Sequence, residues 1–369
     1  MSALRLLADD LTGALDAAAP FASARAPVAV HWLPEEEAGA AARSDDWPEG
    51  DVAISSTSRD LPVATAISRV GRLAQGLAGG APAFKKIDSL LRGNTAAEIV
   101  ATHRAGGFAA TLVAPAFPAQ GRIVREGRLR LRGSTGTEQD GPDLAALLDA
   151  AGGDRTIRVC DAGSEVDLRD LVQSHRQQAR ILWVGSAGLA RALAGGDARC
   201  AVPQTSTVLV VTGSRHGSTR AQITEAATLL ADAVIRDDGA DRPERIAGAV
   251  IDRLRTQCTA VLDASPPSMG HAEAASRMRA VFSGLPAGQP PDLLVVSGGD
   301  TLVRLLVALG CARLLVQGEV AAGMPLSRIE GGPWQGTPLI SKSGAFDDGG
   351  LIRSLIAPAA GNTARSACP

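Results

Sequence analysis

The chain has 369 residues, of which 21% are charged, and its formal net charge is -2. At roughly 150 residues per domain this length predicts two domains, and the near-neutral charge gives no reason to expect a nucleic-acid partner. No apolar run reaches the roughly 18 residues of a membrane span, so no membrane association is expected.

Short apolar runs alternate with segments of helical periodicity along nearly the whole chain. The runs that predict strands are 4–8, 28–33, 52–55, 83–87, 111–114, 156–160 and 181–184, then 207–211, 233–236, 260–263, 293–297, 314–317 and 339–341. This alternation predicts βαβ units, and therefore an α/β fold in which mainly parallel sheets are flanked by helices. The basic segment 121–132 departs from the pattern and predicts a hairpin.

A Gly- and Pro-containing polar stretch at 195–206 lies between the two series of strands. Such composition is typical of an exposed linker. We therefore predict two domains, 1–198 and 205–369.

In open α/β sheets, ligands bind beyond the carboxyl ends of the strands. The first such loop holds Asp9 and Asp10. Adjacent carboxylates at a strand end are suited to binding hydroxyls, holding Mg²⁺ or accepting a proton. The alternative is that Asp10 caps the helix that follows.

The loop after the fourth predicted strand, 85–94, concentrates charge. It contains Lys85, Lys86, Asp88 and Arg92, and Asn94 is placed to cap the next helix. Two of the three lysines in the chain lie here, whereas the other 34 cationic residues are arginine. The pattern favours a site for an anionic, hydroxylated ligand over a solvated charged loop.

Two loops of the second domain are candidates for phosphate binding. Gly298 and Gly299 lie between a strand and a helix, where backbone N–H groups can approach a phosphate; the alternative is a tight turn capped by Asp300. Lys342 follows another strand, but segment 336–343 lacks the second glycine of a P-loop. A weaker signal is the polar loop that contains Ser214 and His216.

The first residues lack the regions of a secretory signal. The five cysteines are odd in number, widely spaced and without a C-x-x-C pair. This spacing predicts reduced thiols instead of a disulfide framework or zinc site. We expect a cytoplasmic protein.

Together these motifs resemble the four-carbon acid sugar kinase family, whose members phosphorylate threonate, erythronate or 3-oxo-tetronate with ATP. The matching segments follow the family order along nearly the whole chain: 9–14, 85–94, 115–122, 185–190, 213–214, 298–301, 318–320 and 342–344. The resemblance implies that 1–198 binds the acid sugar, that 205–369 binds the nucleotide, and that the ligand cleft lies between them.

The resemblance implies ATP and Mg²⁺ as cofactors and a small sugar acid as substrate, with a homo-oligomer as one option. The expected nucleotide-binding residues are Ser214, Gly298, Gly299, Asp300, Thr301, Lys342, Ser343 and Gly344. The expected substrate-binding residues are Asp9 and Asp88 for hydroxyls, Lys86 and Arg92 for the carboxylate or transferred phosphate, and Asn94. Asp10 is the expected base. Asp300 is the alternative candidate for the base, or it holds Mg²⁺ through water.

Several positions depart from the family pattern, among them Ala322 and Met324. Leu90 replaces a threonine, Ala345 replaces a glycine, and Asp347 adds a negative charge near the expected phosphates. The departures at Ala345 and Asp347 motivate an alternative: a sensor that binds a sugar acid or nucleotide without turnover. A hydroxy-acid dehydrogenase is a further alternative, but the missing G-x-G-x-x-G fingerprint counts against it.

Overall fold

The computed structural model describes residues 3–33, 47–133, 137–196, 198–266, 269–344 and 350–356. The chain divides into two compact units, Met1–Ala198 and Arg199–Pro369. Each unit has its own apolar core, and the predicted α/β fold class is confirmed.

In the part of the chain that the structure describes, the first unit is built around a seven-stranded parallel sheet. The strands of this unit are β1 (Arg5–Ala8), β2 (Val28–Trp32), β3 (Val52–Ser55), β4 (Ala83–Lys86), β5 (Ala110–Ala114), β6 (Arg122–Arg125), β7 (Arg128–Arg132), β8 (Glu138–Asp143), β9 (Ile157–Val159) and β10 (Ile181–Gly185). The order in the parallel sheet is β2-β3-β1-β4-β10-β5-β9. Strands β1, β3, β4 and β10 are largely buried, as expected for parallel strands with both faces covered.

Among its described residues the first unit has six α-helices: α1 (Leu11–Ala18), α2 (Val63–Leu77), α3 (Thr95–Gly106), α4 (Leu144–Ala150), α5 (Glu165–His175) and α6 (Ala187–Ala194). Their ends follow local sequence signals. Ser164 and Asp167 form a capping box at the start of α5, which satisfies backbone donors that the helix leaves unpaired. Gly107 ends α3 in the left-handed conformation that glycine adopts without a steric penalty.

The predicted basic hairpin is present as β6 and β7. Strand β8 pairs with β7 and completes a three-stranded antiparallel sheet. Arginines of β7 face acids of β8 in three ion pairs: Arg128–Asp143 at 2.7 Å, Arg132–Glu138 at 3.0 Å, and Arg130–Asp140. The sequence of β8 contains no apolar residue, so periodicity could not predict it, whereas charge complementarity accounts for its pairing.

The second unit contains a parallel sheet with an antiparallel extension. Its strands are β11 (Val208–Thr212), β12 (Val234–Arg236), β13 (Thr259–Asp263), β14 (Leu293–Ser297), β15 (Arg313–Ala321), β16 (Met324–Glu330) and β17 (Pro338–Lys342). In the order β12-β13-β11-β14-β17-β16-β15, the first five strands are parallel, and β16 pairs antiparallel with both β17 and β15. Strand β16 was not predicted from the sequence, because Pro325 and Arg328 interrupt its apolar run.

The helices of the second unit are α7 (Gly217–Leu229), α8 (Pro243–Gln257), α9 (His271–Phe282), α10 (Gly299–Ala308) and α11 (Leu351–Ile356). Helix α10 buries Leu302, Leu305 and Leu306, the face that its i, i+3, i+4 spacing predicts.

None of the helices in the described ranges is long and apolar enough to cross a membrane. Cys160, Cys200 and Cys311 are free thiols. Cys258 is disulfide-bonded, so the expectation that all cysteines are reduced is wrong at this residue.

Candidate functional site

The first unit gathers polar side chains at the carboxyl edge of its sheet. Strand β1 lies between β3 and β4, and Ala8 pairs in register with Ser55 on one side and Lys86 on the other. The loops that follow these three strands therefore start side by side. They bring Asp9 and Asp10 together with Asp88, as the sequence predicted for ligand-binding loops.

Arg59, in the loop after β3, contacts the three carboxylates and was not predicted from the sequence. Its guanidinium group donates two hydrogen bonds to Asp9, at 2.8 and 3.0 Å, and one to Asp10 at 2.7 Å. Its Nη2 also lies 3.8 Å from Asp88 Oδ1. The side chain is 16% exposed, so this arginine is the centre of a partly desolvated charge cluster.

The charges of this cluster shift the acid–base properties of its members. Burial by itself raises the pKa of Asp9, but the charge and hydrogen bonds of Arg59 and the charges of Lys86 and Lys85 outweigh it and lower this pKa. Burial likewise opposes ionisation of Asp88, but the hydrogen bond from Arg92 and the charge of Arg59 hold its pKa far below the usual value. Both carboxylates are therefore ionised and strongly paired.

Asp10 has the capping role that the sequence allowed, and its predicted role as the base stays a prediction. It is the N-cap of α1, where Oδ1 accepts a hydrogen bond from the Gly13 amide at 3.0 Å. Its Oδ2 accepts a 2.5 Å hydrogen bond from the Thr12 hydroxyl. The Asp10 side chain is 21% exposed, compared with 6% for Asp9 and 8% for Asp88, so it is the most accessible carboxylate of the three.

The two adjacent lysines of β4 point to opposite faces of the sheet, as residues i and i+1 of a strand must. Lys85 is fully buried and forms a 2.6 Å ion pair with Glu98 of α3. Lys86 lies on the carboxylate side, is 6% exposed, and donates a 3.0 Å hydrogen bond to the Ile87 carbonyl. Within the described ranges no carboxylate lies within 4.0 Å of the Lys86 ammonium.

Because Gly13 has no side chain, there is room beside it for the Lys86 ammonium group. A Cβ at this position would collide with the Asp10 carboxylate and lie 2.8 Å from Lys86 Nζ. The ammonium group therefore reaches the first turn of α1, where the helix dipole favours an anion.

Gly93 and Asn94 shape the loop that carries Arg59. Gly93 has φ +75°, and a Cβ there would lie 2.7 Å from the Arg59 carbonyl. Asn94 occupies the N-cap position of α3 but makes no capping hydrogen bond. Its amide nitrogen donates to the carbonyls of Ser58 at 3.2 Å and Leu61 at 2.8 Å. Asn94 thus supports this loop, and its predicted contact with substrate stays a prediction.

Two further arginines reach the loop after β4. Arg92 donates two hydrogen bonds to Asp88, at 2.8 and 2.7 Å, while its side chain is 61% exposed. Arg122, the first residue of hairpin strand β6, donates to the Ser89 hydroxyl. Arg122 belongs to a segment that carried the family resemblance, although its role at this edge was not predicted. Leu90 has a backbone role here, since its amide donates to Asp88 at 3.1 Å.

In the second unit, β11 and β17 flank β14, so the loops after these strands start side by side. Gly298, with φ +103°, donates its amide to the Lys342 carbonyl at 3.0 Å. A Cβ on Gly298 would lie 3.3 Å from Thr301 Oγ1 and 3.7 Å from Ser214 Cβ. The structure thus groups these four predicted nucleotide-binding residues at one sheet edge, beside the N-terminus of α10, which starts at Gly299.

Gly344 packs directly on the loop after β11. A Cβ at Gly344 would collide with the Ser214 hydroxyl. The Gly344 carbonyl accepts hydrogen bonds from Ser218 at 3.0 Å and Thr219 at 2.8 Å, both on α7. The side chain of Lys342 is buried, and its ammonium donates to the Ser343 carbonyl at 3.3 Å. Ala345 and Asp347 lie outside the described residues.

Asp300 lies in the first turn of α10, with its side chain 55% exposed. It forms an ion pair with Arg304 at 3.1 Å and lies 3.6 Å from His271 Nε2. A second acid, Asp263 at the end of β13, was not predicted; Arg220 binds both of its oxygens, at 2.8 and 2.6 Å. Of the two, only Asp300 is solvent-accessible beside the glycine turn.

Known proteins resemble both units. Residues 4–141 match the family model of the sugar-binding N-terminal domain, and residues 209–349 match that of the nucleotide-binding C-terminal domain. A D-threonate kinase from Cupriavidus necator is 31% identical, over 92% of this chain and 94% of its own length. A 3-oxo-tetronate kinase from Methylobacterium radiotolerans is 28% identical, over 93% of this chain and 96% of its own.

The crystal structure of a protein from Salmonella typhimurium LT2 superimposes on this chain with a TM-score of 0.75. The two chains are 22% identical, and the match covers 96% of this chain and 99% of that one. Fold and domain matches together define a two-domain α/β protein of the sugar- and nucleotide-binding class. The chain belongs to the four-carbon acid sugar kinase family.

Proposed function

We propose that this protein is an ATP-dependent kinase that phosphorylates a terminal hydroxyl of a four-carbon sugar acid of the threonate, erythronate or 3-oxo-tetronate type. The curated relatives support this substrate class. The observation that carries the proposal is the cluster of three carboxylates beside the buried ammonium of Lys86, because such a site offers acceptors for hydroxyls and a cation for an acid group.

The first unit binds the sugar acid. Lys86 attracts the anionic group, since its buried ammonium has donors to spare and borders the first turn of α1. Arg92 adds a second cation from the solvent side. Asp9 and Asp88 accept hydrogen bonds from substrate hydroxyls, and Arg59 and Arg92 fix their orientation.

Asp10 accepts the proton of the attacking hydroxyl. Asp9 and Asp88 are poor bases, because their arginine partners stabilise the ionised form. Asp10 is more exposed and receives a single hydrogen bond from Arg59. As the hydroxyl oxygen bonds to the terminal phosphorus of ATP, the bond to ADP breaks and the hydroxyl proton passes to Asp10. Positioning and charge neutralisation provide most of the catalysis in such transfers.

The second unit binds ATP. The amides around Gly298 and Gly299 and the start of α10 contact the phosphates, with Ser214, Thr301, Ser343 and Gly344 around them and Lys342 supplying positive charge. We further place the reaction in the cytoplasm, where ATP is available.

The residues present fit a magnesium ion that arrives with the nucleotide. Mg²⁺ is commonly bound by one or two carboxylates together with substrate phosphates. Within the described ranges, no group of three or more His, Cys, Asp or Glu residues is suited to a resident metal. Asp300 is exposed beside the glycine turn and would hold the ion through water. When bound, the ion neutralises phosphate charge.

A substrate panel tests the proposed function. The purified protein is incubated with ATP, Mg²⁺ and D-threonate, D-erythronate or 3-oxo-tetronate, and ADP release is followed in a coupled assay. We expect turnover with at least one acid and none when a chelator removes Mg²⁺. Saturable binding of the acids without ADP release would favour the sensor instead.

A pair of variants tests the assignment of the base. We expect Asp10→Asn to lower kcat by about 100-fold, the scale of lost general-base catalysis. We expect Asp300→Asn mainly to raise the Mg²⁺ concentration needed for half-maximal rate. Near-normal turnover of Asp10→Asn, together with loss of turnover in Asp300→Asn, would transfer the base role to Asp300.

A further inference from the structure

A buried ion pair lies on the opposite face of β4 from the carboxylate cluster. Lys85 and Glu98 have side chains that are 0% and 1% exposed, and their charged atoms are 2.6 Å apart. Removing two charges from water is costly, and apolar residues of similar volume often stabilise a core equally well. Stability alone therefore does not require this ion pair, and the other contacts of its atoms indicate a further role.

The second carboxylate oxygen of Glu98 is hydrogen-bonded to a residue next to the functional site. Glu98 Oε1 accepts a 2.6 Å hydrogen bond from the Ser58 hydroxyl, and Lys85 occupies Oε2. Ser58 Oγ also lies 2.8 Å from Ser56 Oγ, which donates to the Ala8 carbonyl at 2.8 Å. Because Ser58 has a single hydroxyl proton and a carboxylate only accepts, Glu98 determines where that proton points.

Ser58 immediately precedes Arg59, and the backbones of both residues are hydrogen-bonded to Asp9, the residue that follows β1. The amides of Ser58 and Arg59 donate to the Asp9 carbonyl at 2.9 and 3.3 Å. The preceding residue, Thr57, has φ +48°, a conformation that non-glycine residues rarely adopt. A segment with such a residue needs surrounding contacts to keep it in place.

We propose that Glu98, fixed by Lys85, is a positioning residue that acts through Ser58 to hold Arg59 against Asp9 and Asp10. The adjacent lysines of β4 then have different tasks: Lys86 faces the substrate, whereas Lys85 fixes the carboxylate that supports the loop. Glu98 contacts neither Asp9 nor Asp10 directly, so its effect on the site depends on the Ser58 hydroxyl.

Ser58→Ala removes that link with the smallest change in volume. Thr102→Val is the matched control, because Thr102 is also fully buried and its hydroxyl contacts Glu98 as well, but only at the backbone carbonyl, at 2.7 Å. A second test variant, Lys85→Met/Glu98→Leu, removes the charges and the acceptor together without leaving an unpaired buried charge. It keeps the proposal testable if Ser58→Ala does not fold.

The first measurement is amide hydrogen exchange of the segment 56–61 in the free protein. We expect both test variants to exchange at least about tenfold faster in this segment, because its opening free energy falls by about the 1.4 kcal/mol expected for one lost hydrogen bond. The control should match wild type there. Wild-type protection in a folded test variant would overturn the proposal.

The second measurement is kinetic and rests on the proposed function. We expect KM for the sugar acid to rise about tenfold in both test variants, the same 1.4 kcal/mol, while KM for ATP stays within about twofold. A merely structural role would lower the melting temperature in test and control alike and leave KM unchanged. If wild type phosphorylates no four-carbon acid, the proposed function fails, but the exchange measurement still tests the positioning role.

Discussion

Replacing Arg59 by methionine should destabilise the first unit strongly. Breaking a buried ion pair by removing one partner costs about 3–5 kcal/mol, since the remaining charge is left buried. The Arg59 side chain is 16% exposed and Asp9 6% exposed, so some solvent screening applies and the lower end, about 3 kcal/mol, is expected. For a unit of this size, 1 kcal/mol shifts Tm by about 2–4 °C. The first unit should therefore melt about 6–12 °C lower at neutral pH.

The decrease in Tm caused by Arg59→Met should depend on pH in a defined direction. In the wild type the pKa of Asp9 is lowered, so Asp9 stabilises the fold above the ordinary carboxyl pKa, and this stability is lost on acidification. Without Arg59, burial favours protonation of Asp9, which relieves the unpaired charge as the pH falls. The difference in Tm between wild type and Arg59→Met should therefore shrink between pH 8 and about pH 4.

Differential scanning calorimetry across this pH range measures the effect. Arg128→Met is the matched control in the same unit, because the side chains of Arg128 and Asp143 are 37% and 35% exposed. Such a partly solvated pair contributes about 0–1 kcal/mol. A decrease in Tm for Arg59→Met that is no larger than that for Arg128→Met at pH 8, or that stays constant with pH, would refute this prediction.

Two other substitutions probe the ligand loops. Gly344→Ala places a Cβ against the Ser214 hydroxyl, so we expect KM for ATP to rise at least about tenfold with the sugar-acid KM unchanged. Gly248→Ala in α8, where a Cβ meets nothing within 4 Å, should raise Tm slightly and leave both KM values alone. Lys86→Arg should lower kcat/KM at least about tenfold, because the forked guanidinium needs space that Gly13 provides only for an ammonium. Wild-type kinetics in Gly344→Ala or Lys86→Arg would contradict the respective assignment.

The sequence predicts the parallel strands well, because strands buried on both faces appear as short apolar runs between helical segments. It fails where another interaction determines pairing. Strand β8 is recruited by opposite charges, and β16 carries a proline and an arginine within its run. Neither β8 nor β16 shows an uninterrupted apolar periodicity, so a search for such periodicity cannot detect these strands.

The acidic part of the site was predictable because Asp9, Asp10 and Asp88 each follow a predicted strand. Arg59 was not, since it lies beyond the strand end in a loop without a recognisable motif. Its proximity depends on β3 lying beside β1, which is a property of the sheet order. The different positions of Lys85 and Lys86 could have been predicted from the sequence, because adjacent residues of a strand point to opposite faces of the sheet.

The burial of the lysines has a practical consequence for chemical labelling. The chain has three lysines, and Lys85, Lys86 and Lys342 are 0%, 6% and 1% exposed. To modify a lysine, acylating reagents, amine cross-linkers and lysine acetyltransferases all need an accessible ε-amino group. The folded surface offers them none of these side chains, whereas guanidinium-directed reagents find many targets. Mass-spectrometric labelling of Lys85, which is paired with Glu98 in the core, would therefore time the opening of the first unit.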